Sequence, residues 1–411
     1  MIFSHLGYTL QYENRKEKGS IMRDFKFHVN TAILFGEDQA HAFAKEIKKL
    51  GNRALVVFGG GSVKRNGIYD TITSALKEEG VEWIDHGGIE PNPHIESVVA
   101  GVEKVKAENI DVILPIGGGS TIDAAKLIAA ASVTGGDPWD IVIRKNKVTG
   151  ALPIATVLTL AATGSEMDIA SVITNPATKE KIGWRSPMVL PKVSLLNPAY
   201  TKTVSPYQTA SGTADIMSHT MENYFSVNDD AFMQDSFAEG LLRTCVHYGP
   251  IAVKNGDDME ARSNLMWASS WAINGLLNTG KTQAWSVHPM EHELSAFFDI
   301  THGVGLAILT PRWLRHLLNE ETAPKIARFG HHVFDISKKD TMEMAEEAID
   351  RLHYFFLSMN IPMTLEEVGI TEDSLEPMAK ACADHVGGTI KGFVDLHEED
   401  ILAIYKASFR N

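Results

Sequence analysis

Cysteine is almost missing from this chain of 411 residues: Cys245 and Cys382 are the only two, and they form no CxxC pair. That excludes a disulfide framework and makes a reducing cytosol the expected compartment. No apolar run reaches the length of about 18 residues that a membrane-spanning helix needs. Positive charge is also scarce. Asp and Glu outnumber Lys and Arg by 52 to 38, a net charge of −14, and such a surface repels phosphate polymers. Neither nucleic acid nor membrane is therefore expected as a partner. No internal repeat or low-complexity tract appears.

What is present is ordinary globular composition, 44% hydrophobic and 22% charged, in a length that exceeds one comfortable core. Two domains are expected, joined without a long linker. Residues 1–21 do not read as a signal peptide, because their apolar stretch is short and a charged run follows. They are expected to be a dispensable extension, non-native or disordered, with the folded chain starting at Met22. From 22 to 205, Ala54-LVVF, Val81-EWID, Asp111-VILPI, Pro153-IATVLTL and Val193-SLL read as strands. Lys45-EIKKL, Ile68-YDTITSALKEEG and Ile95-ESVVAGVEKVKAEN between them read as helices. This alternation predicts an α/β domain with a parallel sheet covered on both faces. From 206 to 411 the strand pattern disappears, and long Ala-, Leu- and Met-bearing segments predict an all-α domain.

Asp215 and His219 lie four apart on a stretch that opens with Ser205-Pro206 and continues without proline. It reads as a helix with both side chains on one face. Alone, such a pair is more often a solvated or capping pair. A second segment, His288-PMEHELSAFFDITHG, adds His288 and His302. A straight helix would hold these two about 21 Å apart, so they meet only if the helix ends near Phe297–Asp299 and the chain folds back. Three imidazoles and one carboxylate suit a borderline divalent ion, Fe²⁺ or Zn²⁺, with room for a substrate oxygen.

Asp111-VILPIGGGSTIDAAKLIAA is a strand, a three-glycine turn and a helix. Gly117, Gly118 and Gly119 let backbone N–H groups approach a pyrophosphate, and Ser120 and Thr121 are expected to cap the helix facing it. The pattern is not G-x-G-x-x-G. In a second loop, Ala54-LVVFGGGSVKRNG, Gly59, Gly60 and Gly61 occupy the place of the acid that binds an adenosine ribose. Gly60 and Ser62 are expected at the coenzyme, with the cations Lys64 and Arg65 close by. A missing acid beside a hydroxyl and cations favours NADP(H) over NAD(H).

G-G-G-S-T-x-D followed by D-x3-H and H-x3-H-x9-H resembles the iron-dependent (group III) alcohol dehydrogenase family, over residues 22–411. Within it the chain is similar to the NADPH-dependent butanol dehydrogenases and broad-range aldehyde reductases. The resemblance implies Rossmann-like nucleotide binding in the first domain, a dehydroquinate synthase-like architecture overall, and a homodimer. It implies Asp215, His219, His288 and His302 as ligands of the metal, with Fe²⁺ ahead of Zn²⁺. It implies Gly118, Gly119 and Ser120 at the pyrophosphate, and Asn92, Thr159, Thr163 and Lys181 as further coenzyme contacts. Gly59 stands where NAD-preferring members carry Asp. Asp168 departs from relatives that have a polar amide in that stretch. The implied reaction is metal-dependent, NADP(H)-linked interconversion of short- to medium-chain primary alcohols and aldehydes. His292, four residues after His288, is expected to face the same cavity and to deliver a proton or position substrate. Asp123 is expected to order the nicotinamide ribose or join the proton path.

Three rivals stand beside this reading. His288-Pro-Met-Glu-His292 matches the H-x-x-E-H pattern of inverted zinc peptidases, with Glu291 as general base. That leaves both glycine loops without a purpose and puts Pro289 inside a ligand helix. A dehydroquinate synthase relative needs a cationic pocket, and no Lys/Arg cluster adjoins the metal motifs. An NAD-linked polyol dehydrogenase is disfavoured by Gly59. Trp184, Trp285 and Phe298 are candidates for the pocket wall by position.

Overall fold

The computed structural model describes residues 22–226, 231–282 and 284–410; the segment 1–21 lies outside them. The first domain runs β1 (Ala32–Phe35), α1 (Ala40–Leu50), β2 (Arg53–Phe58), α2 (Ser62–Arg65), α3 (Ile68–Glu78), β3 (Glu82–Gly87), α4 (Ile95–Ala107) and β4 (Val112–Gly117). It continues with α5 (Gly119–Thr134), α6 (Pro138–Val142), β5 (Ala155–Leu158), β6 (Ala170–Asn175), β7 (Glu180–Arg185) and β8 (Val193–Leu196). The second is helical: α7 (Pro206–Tyr224), α8 (Phe232–Lys254), α9 (Met259–Ile273), α10 (Val287–Phe298), α11 (His302–Leu317), α12 (Ala323–Phe334), α13 (Thr341–Ser358), α14 (Leu375–Val386) and α15 (Glu398–Phe409).

Six strands form one parallel sheet in the order β1-β8-β5-β4-β2-β3. Its centre is apolar on both faces, because successive strand residues point opposite ways into two helix layers. Along β2, Ala54, Val56 and Phe58 pack with Phe43, Ile47, Ile72 and Leu76 of α1 and α3. Leu55 and Val57 pack with Val98 and Val102 of α4 and Leu127 and Ile128 of α5. The chain leaves β2 towards the β3 edge and leaves β4 towards β5, so the strand order reverses between these two neighbours. Ligands of such sheets bind at that reversal, beyond the carboxyl ends of the strands. Both glycine loops emerge there.

The five strands expected from sequence are all present. Two features were not foreseen: the edge strand β1, and an antiparallel hairpin of β6 and β7. The hairpin stands apart from the main sheet, with Thr174 N–H donating to the Pro93 carbonyl (2.8 Å) before α4, and is fastened to α5 through side chains. Val172 N–H donates to Asp123 Oδ2 (2.8 Å), the Ser171 hydroxyl donates to the Asp123 carbonyl (2.9 Å), and Lys126 Nζ donates to the Ala170 carbonyl (2.7 Å). Such pairing depends on long-range contacts and leaves a weak local pattern.

Candidate metal and coenzyme site

Ser205 caps α7, its hydroxyl accepting the Gln208 N–H at 3.2 Å, and Pro206 fills the first turn. Nineteen residues of uninterrupted helix then set Asp215 and His219 on one face. α10 stops at Phe298 because Asp299 turns left-handed (φ 51), a conformation that Asp tolerates better than most residues. The chain reverses through Ile300 and Thr301, and His302 opens α11. Gly303 makes this possible. A Cβ there would stand 2.1 Å from the Ser211 carbonyl oxygen on α7, so only glycine lets the two helices come this close.

The four candidate ligands converge. Asp215, His288 and His302 offer ligand atoms within 4.8 Å of one another. His219 Nδ1 lies 3.6 Å from Asp215 Oδ1, and its ring stacks on His288 at a centroid distance of 4.6 Å. Asp215 Oδ1, His219 Nδ1 and His288 Nε2 are buried without a hydrogen-bond partner. Orphaned buried polar atoms of this kind are costly unless something satisfies them, and one carboxylate with three imidazoles fits a divalent cation. Burial raises the Asp215 carboxyl to about 7 and holds His219 and His302 well below the ordinary imidazole range. His288 is also disfavoured as a cation by burial, yet Glu222, Asp215 and Glu291 raise it on balance.

Glu222 and Glu291, which the reading of motifs did not assign here, stand behind these histidines. Glu222 meets His288 Nδ1, and Glu291 meets His302 Nδ1. Glu222 follows His219 by three residues, so D-x3-H-x2-E on one helix was the available signal. Glu291 is fully buried and also takes the Ser295 hydroxyl, with Lys181 Nζ at 3.4 Å. Engaged in this way it cannot activate water, so the peptidase reading loses its base. Pro289 lies in the first turn of α10, where a missing N–H costs little. Lys181, expected at the coenzyme, is a buried β7 side chain at this cluster, 3.4 Å from both Glu291 Oε2 and His302 Nδ1.

At the sheet reversal, α5 begins at Gly119, earlier than expected, with Gly118 as its cap. Ser120 and Thr121 therefore lie inside the first turn and do not cap it; the Ser120 hydroxyl donates to the Pro91 carbonyl. The first N–H groups of the helix have no partner within it, which suits an anion. The Thr159 N–H donates to the Gly117 carbonyl (3.0 Å), and Thr163 Oγ1 accepts the Ser165 N–H (3.1 Å). A Cβ at Gly119 would lie 2.3 Å from Thr163 Cγ2. Asn92 reaches across the cleft, its amide donating to Asp299 Oδ1 at 2.6 Å. Asp123 lines the cleft, but both its oxygens already accept hydrogen bonds, from Ser165 and Val172. Burial raises its pKa to about 6. Asp168 forms a buried ion pair with Lys126, which gives this departure from the family pattern a structural partner.

In the second loop, Gly59 and Gly60 follow β2, and Gly61 (φ 85) precedes α2. Lys64 is drawn away from the loop: its Nζ pairs with Asp85 Oδ2 at 2.6 Å and lies over the Phe58 and Tyr69 rings. Arg65 stays beside it, Nη1 donating to the Gly60 carbonyl at 3.3 Å.

One cleft of about 760 Å³ joins the two ends of the site, lined by Asn92, Ser120 and Thr163 on one side and His219, His288 and His302 on the other. His292 lines it too, its ring centroid 5.8 Å from that of His302. Burial, then Lys181, holds His292 well below the ordinary imidazole range. Trp184 and Trp285 line the cleft, whereas Phe298 packs against the core of the helical domain.

Residues 30–198 match the iron-containing alcohol dehydrogenase family, and residues 209–409 match the C-terminal domain of the Fe-containing alcohol dehydrogenase family. The NADH-dependent butanol dehydrogenase A of Clostridium acetobutylicum is 52% identical over 389 residues, 94% of this chain and 100% of that protein. The NADPH-dependent aldehyde reductase YqhD of Escherichia coli is 36% identical over 89% of this chain and 94% of its own. The crystal structure of NADH-dependent butanol dehydrogenase A from Thermotoga maritima superposes with a TM-score of 0.91 at 35% identity, covering 95% of this chain and 99% of that one. The chain belongs to the iron-containing alcohol dehydrogenase family.

Proposed function

We propose that this oxidoreductase is metal-dependent and NADP(H)-linked, interconverting short- to medium-chain primary alcohols and aldehydes. A single observation carries the proposal: one cleft is lined by His219 and His288, whose orphaned atoms lie beside that of Asp215, and by Ser120 at the start of α5, next to the glycine loop. A divalent cation, Fe²⁺ ahead of Zn²⁺, supplies Lewis-acid polarisation of the substrate oxygen when bound, and the nicotinamide coenzyme supplies or takes the hydride. Asp215, His219, His288 and His302 would hold the cation. Gly118, Gly119 and Ser120 would seat the pyrophosphate, with Asn92, Thr159, Thr163 and Lys181 ordering the rest of the coenzyme. Asp123, by fixing the β6–β7 hairpin against α5, shapes the wall beside it. His292, kept neutral by burial, would relay a proton to the substrate oxygen, taking one from solvent water on one ring nitrogen as it gives one from the other. Trp285, edge-on to His219 and His288, would shield the histidine end of the cleft from water, and Trp184 would form part of the same wall.

Coenzyme preference rests on Gly59, Gly60 and Gly61, which place no carboxylate against a 2′-phosphate, and on Arg65; Lys64 adds less than its sequence position suggests, being paired with Asp85. The relatives named above include NADH- and NADPH-dependent enzymes, so coenzyme choice needs its own measurement. Among the described residues no helix is long and apolar enough to cross a membrane. A cytosolic homodimer completes the proposal; exposed Phe35 on edge strand β1, against exposed Trp267, suits contact with a second copy. The test is a steady-state screen of aldehydes from ethanal to octanal with NADPH and NADH, before and after chelation and metal replacement. Turnover that survives complete chelation would overturn the metal-dependent reading.

A further inference from the structure

Glu222 sits one turn beyond His219 on α7 and divides its two oxygens between two tasks. Oε1 meets Nδ1 of His288 and accepts the Ser218 hydroxyl at 3.2 Å. Oε2 accepts the backbone N–H groups of Ser286 (2.6 Å) and Val287 (2.8 Å), where α10 begins. Glu291 repeats the first task at His302 Nδ1. Both carboxylates are buried, with 1% and 0% exposure. With Nδ1 turned to a carboxylate, Nε2 of each ring faces Asp215 Oδ1, at 4.0 Å for His288 and 3.8 Å for His302.

We infer that Glu222 and Glu291 are positioning residues: each holds the proton of its histidine on Nδ1 and so presents the Nε2 lone pair to the cation. This rests on the metal-dependent reading above. A neutral imidazole has one N–H and one lone pair, and the partner of one nitrogen decides the state of the other. An ionised carboxylate only accepts, so it admits a single tautomer. Outer partners of this type are worth about 10–100-fold in metal affinity. Glu222 does more than Glu291, because its second oxygen also binds the start of α10 to α7, the helix that carries Asp215 and His219.

The capping task and the tautomer task separate cleanly by atom. In Glu222→Gln the side chain keeps its volume but has one carbonyl oxygen. The N–H groups of Ser286 and Val287 require that oxygen, so the amide NH₂ turns towards His288 Nδ1. A donor there moves the imidazole proton to Nε2 and closes that nitrogen to a cation, while the helix cap survives.

Full-length wild type, Glu222→Gln and Glu291→Leu, stripped with a chelator, are titrated with Zn²⁺ and with Co²⁺. Chelator competition gives affinity, Co²⁺ absorption reports ligand geometry, and melting of the metal-free proteins reports the fold. Expected for Glu222→Gln is a loss of about 10–100-fold in Zn²⁺ affinity and an altered Co²⁺ spectrum, with metal-free melting close to wild type. Wild-type affinity and spectrum in Glu222→Gln would overturn the inference and leave Glu222 as a helix cap. Glu291→Leu, which removes the acceptor and leaves His302 Nδ1 facing only Lys181 Nζ, a donor 3.4 Å away, reads the same inference at His302 should Glu222→Gln not fold, and wild-type affinity there would equally overturn it. A wild-type chain that binds neither cation would overturn the metal-dependent reading, and this inference with it.

Discussion

Replacing Gly303 by alanine would test whether helix approach sets the metal-site geometry. The added Cβ would stand 2.1 Å from the Ser211 carbonyl oxygen and 2.7 Å from its hydroxyl, where ordinary contact begins at 3.4 Å. The start of α11 must therefore retreat from α7 by about 1 Å, a shift typical of overpacked cores. Ser211 is one turn before Asp215, and His302 directly precedes the substituted residue, so the retreat separates candidate ligands that now lie 3.8 Å apart. Metal–ligand distances tolerate only about 0.2 Å, so affinity should fall at least tenfold, or about 1.4 kcal/mol. Overpacking should cost a further 1–3 kcal/mol, roughly, in the metal-free protein. Because unfolding entropy grows with chain length, that is about 1–4 °C in Tm. Zn²⁺ titration against a chelator and thermal melting after metal removal read the two effects separately. Gly240→Ala on α8, where the nearest atom to the new Cβ is Arg243 Nη2 at 4.0 Å, serves as control and should not lower Tm. Wild-type metal affinity in Gly303→Ala would refute the idea that this approach limits the site.

His288→Ala or His302→Ala should abolish aldehyde reduction with a nearly unchanged far-UV spectrum, since the helical core does not depend on either side chain; turnover retained by both would remove them from the metal. Gly60→Asp should lower the NADPH/NADH preference in kcat/KM by like-charge repulsion of the 2′-phosphate, and an unchanged ratio would show that this loop does not read the ribose. Gly60 is a cleaner site for this than Gly59, because a Cβ at Gly60 meets nothing within 4 Å whereas one at Gly59 lies 3.2 Å from the Ile89 carbonyl. His292→Phe should slow reduction by about 10²–10⁴-fold with metal content unchanged. Because burial and Lys181 depress the His292 pKa, any limb of the pH–rate profile that it governs lies on the acid side of the ordinary imidazole range and should vanish in the variant; a profile unaltered in rate and shape would return His292 to packing.

Much of the architecture was legible because its signals are local. Four of the five strands read from sequence, β2, β4, β5 and β8, are short, mostly apolar runs buried on both faces, so composition marks them, while β3 is a half-exposed edge strand marked by its place between two helices. Ser205-Pro206 announced α7, and Asp299-Ile-Thr-His-Gly announced the reversal after α10, each through the backbone preferences of its own residues. The β6–β7 hairpin escaped notice because Asp123 and Lys126 of α5 hold it, from some fifty positions upstream at most.

Sequence by itself determined the inventory: an acidic, cysteine-poor chain with two glycine loops, and an Asp and three histidines spaced to share one point. Only the tertiary structure decided what surrounds that point. Glu222 and Glu291 are ordinary helix glutamates until the packing of α7 against α10 and α11 turns their carboxylates onto His288 and His302. Lys181 reads as a coenzyme contact, and only the fold shows it buried on β7, 3.4 Å from Glu291. Lys64 reads as a phosphate ligand until Asp85, twenty-one positions away on β3, pairs with it. Each of these outcomes depends on distances between segments far apart in the chain. Spacing along one segment cannot encode them, because burial and partner choice are set by what the rest of the fold brings alongside.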